Sequence, residues 1–158
     1  MENWKQKPSN GGRRPNADYS GKKSEQPPKE KIFPNINVNR EFKPSWIISG
    51  IDSDFIKFAE DVGGYMAENG VKSSKIRSIY SEIKRIQMNF EKETTAFYLL
   101  KPKVAYAYGR SKTSGLGKFK EVFDKCFEYI KEEKHYLNFC NIMEAIVAYH
   151  KANVKGDD

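Results

Sequence analysis

Lys72-Ser73-Ser74-Lys75-Ile76-Arg77-Ser78-Ile79-Tyr80-Ser81-Glu82-Ile83-Lys84-Arg85-Ile86-Gln87-Met88-Asn89-Phe90 sets its apolar face at positions 76, 80, 83, 86 and 90. Steps of three and four are the period of an α-helix that buries one side. Ser73 or Ser74 opens it, because a hydroxyl can satisfy the free amides of a first turn. The same period continues on both sides. Upstream, Phe55, Phe58, Ala59, Val62, Tyr65 and Met66 form one face, with Asp52 or Ser53 as the cap and Gly70 as the stop. Gly63-Gly64 lies inside that helix and is expected to weaken and kink it. Downstream, a helix over 95–109 turns Phe97, Leu100, Val104 and Tyr108 inward, and Pro102 predicts a kink or a broken first turn. Residues 111–117 read as a loop by composition. Two further apolar faces follow: Phe119, Val122, Phe123, Cys126, Phe127 and Ile130, then Tyr136, Phe139, Ile142, Met143, Ile146, Val147 and His150. Strand alternation is nearly absent. Residues 46–51 read as a short lead-in packed on the helices. The expected fold is all-α, a compact bundle of about five helices.

Around this core the chain divides by composition. Residues 1–45 hold ten basic and five acidic side chains and few apolar ones. They read as a disordered basic tail, unable to bury enough apolar surface to offset ordering. Within the tail, residues 32–42 are less polar and suit docking on a partner. Residues 46–153 form the expected helical domain, and 154–158 a short C-terminal tail. The 158 residues carry a formal charge of +7, and most of that excess lies in the tail. Inside the domain, charge is sorted by segment: net −4 over 46–71, +9 over 72–120 and −3 over 121–144. A basic block between acidic flanks points to a polyanion partner.

Several chemistries find no support. Cys126 and Cys140 are the only cysteines and form no CxxC, which argues against a disulfide framework or thiol redox centre. They fall on apolar faces, as does His150, and His135 sits at a helix start; none has a partner at metal-ligand spacing. The first ten residues, MENWKQKPSN, have no apolar region of a secretory signal. No stretch approaches the roughly 18 apolar residues of a membrane helix, so a cytoplasmic, membrane-free protein is expected. Residues 109–118 approximate a phosphate loop, but Lys112 and Phe119 stand where Gly and Ser or Thr are required. Glu121, Asp124, Glu128 and Glu132 line the outer face of one helix, a solvated surface or a docking ridge. No enzyme, cofactor or metal is expected.

The basic block has a geometry of its own. With Ile76 central, Arg77 and Lys84 fall about 80–100° to one side, with Ser81, Met88 and Arg85 beyond. On the next helix Leu99, Lys103, Tyr106 and Arg110 recur at i, i+4, i+7 and i+11, off the apolar face. Lys101 points partly inward on an ideal helix, a phase that Pro102 disturbs. Between Lys72 and Lys120 only Glu82, Glu91 and Glu93 offset twelve positive side chains. A face kept only for solubility mixes its signs. Such stripes suit contact with a nucleic-acid backbone and carry no sign of base-specific readout.

These same residues resemble a known family. Lys75-Ile76-Arg77-Ser78-Ile79-Tyr80, Ile83-Lys84-Arg85-Ile86 and above all Leu99-Leu100-Lys101-Pro102-Lys103-Val104-Ala105-Tyr106-Ala107-Tyr108-Gly109-Arg110 are similar to the small-subunit family of type III-A CRISPR effector (Csm) complexes. Phe139 and the run Glu144-Ala145-Ile146-Val147-Ala148-Tyr149-His150-Lys151 fit that family's last helix. The resemblance spans roughly residues 46–152. It implies a five-helix, non-catalytic subunit that lines the guide–target RNA duplex and supports target RNA binding in antiviral defence. The implied partners are the guide (CRISPR) RNA, the target RNA, the backbone and large subunits of the ribonucleoprotein, and other copies of the chain. Matched position by position, it nominates Arg77, Arg85, Lys101, Lys103 and Arg110 as RNA-binding, with Lys75, Lys84 and Tyr106 beside them. The alternative is a helical protein–protein scaffold without direct RNA contact, using the acidic helix and exposed aromatics.

Overall fold

A computed structural model describes residues 32–156, and all of their regular structure is helical. In chain order the helices are α1 (Val38–Glu41), α2 (Ser45–Ile48), α3 (Ser53–Glu68), α4 (Ser73–Gln87), α5 (Thr94–Ser111), α6 (Ser114–Phe127) and α7 (Glu133–Asn153). A 3-10 turn, Phe90–Lys92, precedes α5. The five long helices, α3 to α7, are those the periodicity predicts. Their apolar faces meet in one core, in which Phe55, Ile83, Val104, Phe123 and Ile146 are fully buried. α3 and α7 form the most extensive pair, and α4, α5 and α6 pack around them.

Asp52 organises the start of α3 twice over. Its carboxylate accepts from the Phe55 amide at 3.1 Å as the cap and from the Trp46 indole at 2.9 Å. The lead-in α2 is thereby tied to the bundle, with Trp46 and Ile47 buried. At the far side, the buried Tyr136 hydroxyl donates to the Ile83 carbonyl at 2.7 Å, joining α7 to α4.

Gly63-Gly64 neither breaks α3 nor marks a weakness. A Cβ at residue 63 would stand 2.7 Å from the Ile146 carbonyl oxygen and the His150 amide nitrogen. A Cβ at residue 64 would run into the Phe33 ring. The two glycines let α7 and the N-terminal segment approach the α3 backbone on either side.

The expected tail also needs correction. Its residues 1–31 lie outside the described residues, but 32–45 pack on the bundle. Phe33, Val38 and Phe42 are buried. The Phe33 amide donates to Glu68 Oε2 at 2.8 Å, and Lys118 Nζ donates to the Ile36 carbonyl at 2.7 Å. The Phe42 ring sits 5.5, 6.1 and 6.3 Å from those of Trp46, Phe58 and Tyr129. Phe33, Val38 and Phe42 of this segment are thus covered by their own chain, whereas Ile32 is exposed.

Two smaller expectations change. α5 runs unbroken from Thr94 to Ser111 through Pro102. The loop read over 111–117 shrinks to Lys112 and Thr113, because Thr113 caps α6 through the Leu116 amide. Gly115 is buried where α6 meets the end of α3, donating its amide to the Asn69 carbonyl at 3.1 Å.

Candidate nucleic-acid interface

Helical geometry aligns Leu99, Lys103, Tyr106 and Arg110 along one edge of α5. On α4 the residues at the same spacing that face them are Lys75, Ser78, Ile79 and Glu82. Between the two stripes runs an open groove of about 640 Å³. Its base is apolar, with Leu100, Val104 and Ala107 buried beneath it, and Lys75, Lys103 and Arg110 supply its positive charge. A second hollow of about 420 Å³ adjoins it through Lys75 and adds Lys72, Ser74, Ser111 and Thr113.

One carboxylate lies in the groove. Glu82 accepts from Arg85 Nη2 at 2.8 Å and Nε at 3.0 Å, and from Lys103 Nζ at 3.4 Å. The paired guanidinium, aided by Lys103, holds the Glu82 carboxyl down at about 2. Arg85 also reaches Glu93 at 3.0 Å. It therefore ties the end of α4 to the turn before α5, and its charge is matched by two carboxylates. Lys75, Arg77, Lys84 and Arg110 have no carboxylate within ion-pair distance among the described residues. The Arg110 guanidinium lies 5.9 Å from the centre of the Tyr106 ring.

The residues nominated from sequence thus separate into groups. Lys103, Tyr106 and Arg110 come together in the groove, joined by Lys75. Arg77 is exposed on α4 outside it. Lys84 and Arg85 line a shallow hollow on another side of α4, with Tyr80, Ser81 and Met88. Lys101 does not turn inward: it is exposed and faces the end of α6, its Nζ 5.8 Å from the centre of the Phe127 ring. Positions two apart on a helix differ by about 200°, so Lys101 and Lys103 serve different surfaces. Glu82 and Leu99 belong to the groove although neither was nominated. The spacing of 75, 78 and 82 could have flagged the α4 half; only tertiary packing shows which flank of α4 meets α5.

Other candidate chemistry is accounted for locally. His150 is buried and donates Nε2–H to the Val71 carbonyl at 2.8 Å, the role of a satisfied core histidine. His135 Nδ1 accepts from the Lys131 amide at 3.1 Å. Cys126 and Cys140 are free and buried. Burial raises both thiols, Cys140 to about 12, so neither is a ready nucleophile. Lys118, at the end of the phosphate-loop-like stretch, is buried and committed to Ile36 and to Glu121 at 3.3 Å. No group of three or more His, Cys, Asp or Glu suited to a metal occurs among the described residues. None of their helices is long and apolar enough to cross a membrane. Of the acidic ridge, Glu121 pairs with Lys118 at 3.3 Å, Asp124 with Lys120 at 2.6 Å and Glu128 with Lys125 at 3.7 Å, whereas Glu132 lies beyond α6, as the residue before α7.

A family model described as Csm2 Type III-A matches residues 52–155. Neither the curated proteins nor the solved structures give a match.

Proposed function

The chain belongs to the Csm2 Type III-A family, structural subunits of the type III-A CRISPR effector complex, and from that premise we propose that its α4/α5 groove contacts RNA. In this reading the subunit is non-catalytic and lines the guide–target RNA duplex. Its partners are the guide RNA, the target RNA, the backbone and large subunits, and further copies of itself. It works in the cytoplasm and supports target RNA binding in antiviral defence. The observation that carries the reading is the set of cations in the groove. Among the described residues Lys75 and Arg110 lack a carboxylate partner, and Lys103 has only a long contact to Glu82. Cations left unpaired on a concave surface attract a polyanion more than they support the fold. Arg77 extends the positive surface on α4, whereas Lys84 and Lys101 contact RNA only if it wraps beyond the groove. Arg85 is chiefly a tie within the fold.

One copy offers few contacts, so affinity is weak for the isolated subunit and rises by avidity on assembly. Changing Lys75, Lys103 and Arg110 together to Ala in the assembled complex is expected to lower target RNA affinity. The salt dependence should flatten by about one unit of slope per lost phosphate contact. Helical circular dichroism should persist. Unchanged affinity at equal salt would refute the assignment. A scaffold without RNA contact would instead use the acidic helix α6, whose Glu121, Asp124 and Glu128 are paired with its own lysines, and the exposed aromatics. Partners that stay attached after ribonuclease treatment, with no RNA crosslink to residues 72–118, would favour the scaffold.

A further inference from the structure

Phosphate contact explains Lys75, Lys103 and Arg110, but it does not explain what lies between them. Tyr106 is 67% exposed and Leu99 49% exposed, and both edge the groove on either side of Lys103. Ile79 and Pro102 continue the apolar lining. Large apolar side chains left open inside a cation-bearing groove fit a ligand with a flat apolar face and negative charge at its margins. We propose that the α4/α5 groove receives an unstacked nucleobase of the bound RNA, with Tyr106 as its stacking partner. The proposal rests on the RNA reading above and adds the part of RNA that is recognised.

A fully paired duplex keeps its bases stacked inside, and only an unpaired nucleotide can present a ring to a side chain. The volume of about 640 Å³ is that of an ordinary small-ligand cleft. The Arg110 guanidinium beside the Tyr106 ring is placed to meet the phosphate next to a stacked base. Glu82, ionised and pinned by Arg85 and Lys103, is an acceptor that a base amino group can reach from within the groove. An acidic peptide with an aromatic anchor shares part of this chemistry. The cations continue from Arg110 past Lys75 to Lys72, however, which suits a repeating polyanion better.

The test uses the full-length chain at low salt and two RNAs, a paired duplex and the same duplex with one unpaired 2-aminopurine. The RNA with the unpaired base should bind about tenfold more tightly, in keeping with base–aromatic stacking. Its fluorescence should change on binding. Tyr106→Ala or Leu99→Ser should bring the ratio of the two affinities close to one, and Tyr106→Phe should keep it. Lys103→Ala with Arg110→Ala should weaken both RNAs together. Equal affinities and an unchanged fluorescence, with the charge variant still weakening both, would overturn the base site and leave the RNA reading standing. If the charge variant weakens neither, both fall. Preferential capture of a tyrosine-bearing acidic peptide over both RNAs would also overturn the proposal.

Discussion

Glu82 accepts from Arg85 and Lys103 at once, and this makes it the carboxylate whose titration matters most to α4 and α5. Its folded value lies at about 2 against an ordinary 4.5. A depressed carboxylate stabilises the fold fully above its unfolded value and loses that contribution as it is protonated. Between pH 4.5 and 2, urea unfolding should therefore show a loss absent from Glu82→Gln, about 1 kcal/mol for so open a network. Gly63 makes the opposite kind of contact, one defined by a missing atom. Alanine would gain about 1 kcal/mol of helix propensity there. Its Cβ would meet the Ile146 and His150 backbones of α7 at 2.7 Å, and neither can yield without moving the helix. Overpacking of about 1–3 kcal/mol or more should win, so Gly63→Ala should lower the urea midpoint. Tyr136→Phe leaves the packing intact and removes the hydroxyl's bond to the Ile83 carbonyl, which keeps its partner within α4, a loss of about 0.5–1.5 kcal/mol by the same measurement.

At the scale of elements, the N-terminal segment behaves as part of the core. Phe42 is 4% exposed and packs on Trp46, Phe58 and Tyr129. Phe42→Ala should cost about 3–5 kcal/mol, as truncation of a buried Phe does. Arg40→Ala, on the exposed side of α1 just before it, should stay within about 0.5 kcal/mol. A composition average over 45 residues hid this segment, because four apolar positions, 33, 36, 38 and 42, are diluted by polar ones. The long helices were legible because each repeats its apolar residues every three or four positions. The start of α6 was not, because Gly115 and Gly117 signal a loop when counted and a close helix approach when packed. The α5 stripe of Leu99, Lys103, Tyr106 and Arg110 was legible for the same reason as the helices. Its partner stripe on α4 was not: periodicity centres α4 on Ile76 but does not say which flank turns to α5. Lys101 shows the reverse, a motif residue that helical phase sends to the α6 side.

For the whole molecule, the distribution of charge matters more than its total. The +7 of the chain resolves into +5 over 1–45, −4 over 46–71, +9 over 72–120 and −3 over 121–144, and the groove lies within the +9 block. Several of the flanking acids are paired close by, Asp54 with Lys43 at 2.6 Å, Asp124 with Lys120 at 2.6 Å and Glu128 with Lys125 at 3.7 Å. Association with RNA should therefore weaken steeply with salt. The proposed placement of RNA along the α4/α5 groove is tested by mass spectrometry of the assembled effector after RNA crosslinking. Adducts concentrated on Lys75, Lys103, Tyr106 and Arg110 are the predicted result; adducts confined to other surfaces, with those four unmodified, would contradict it.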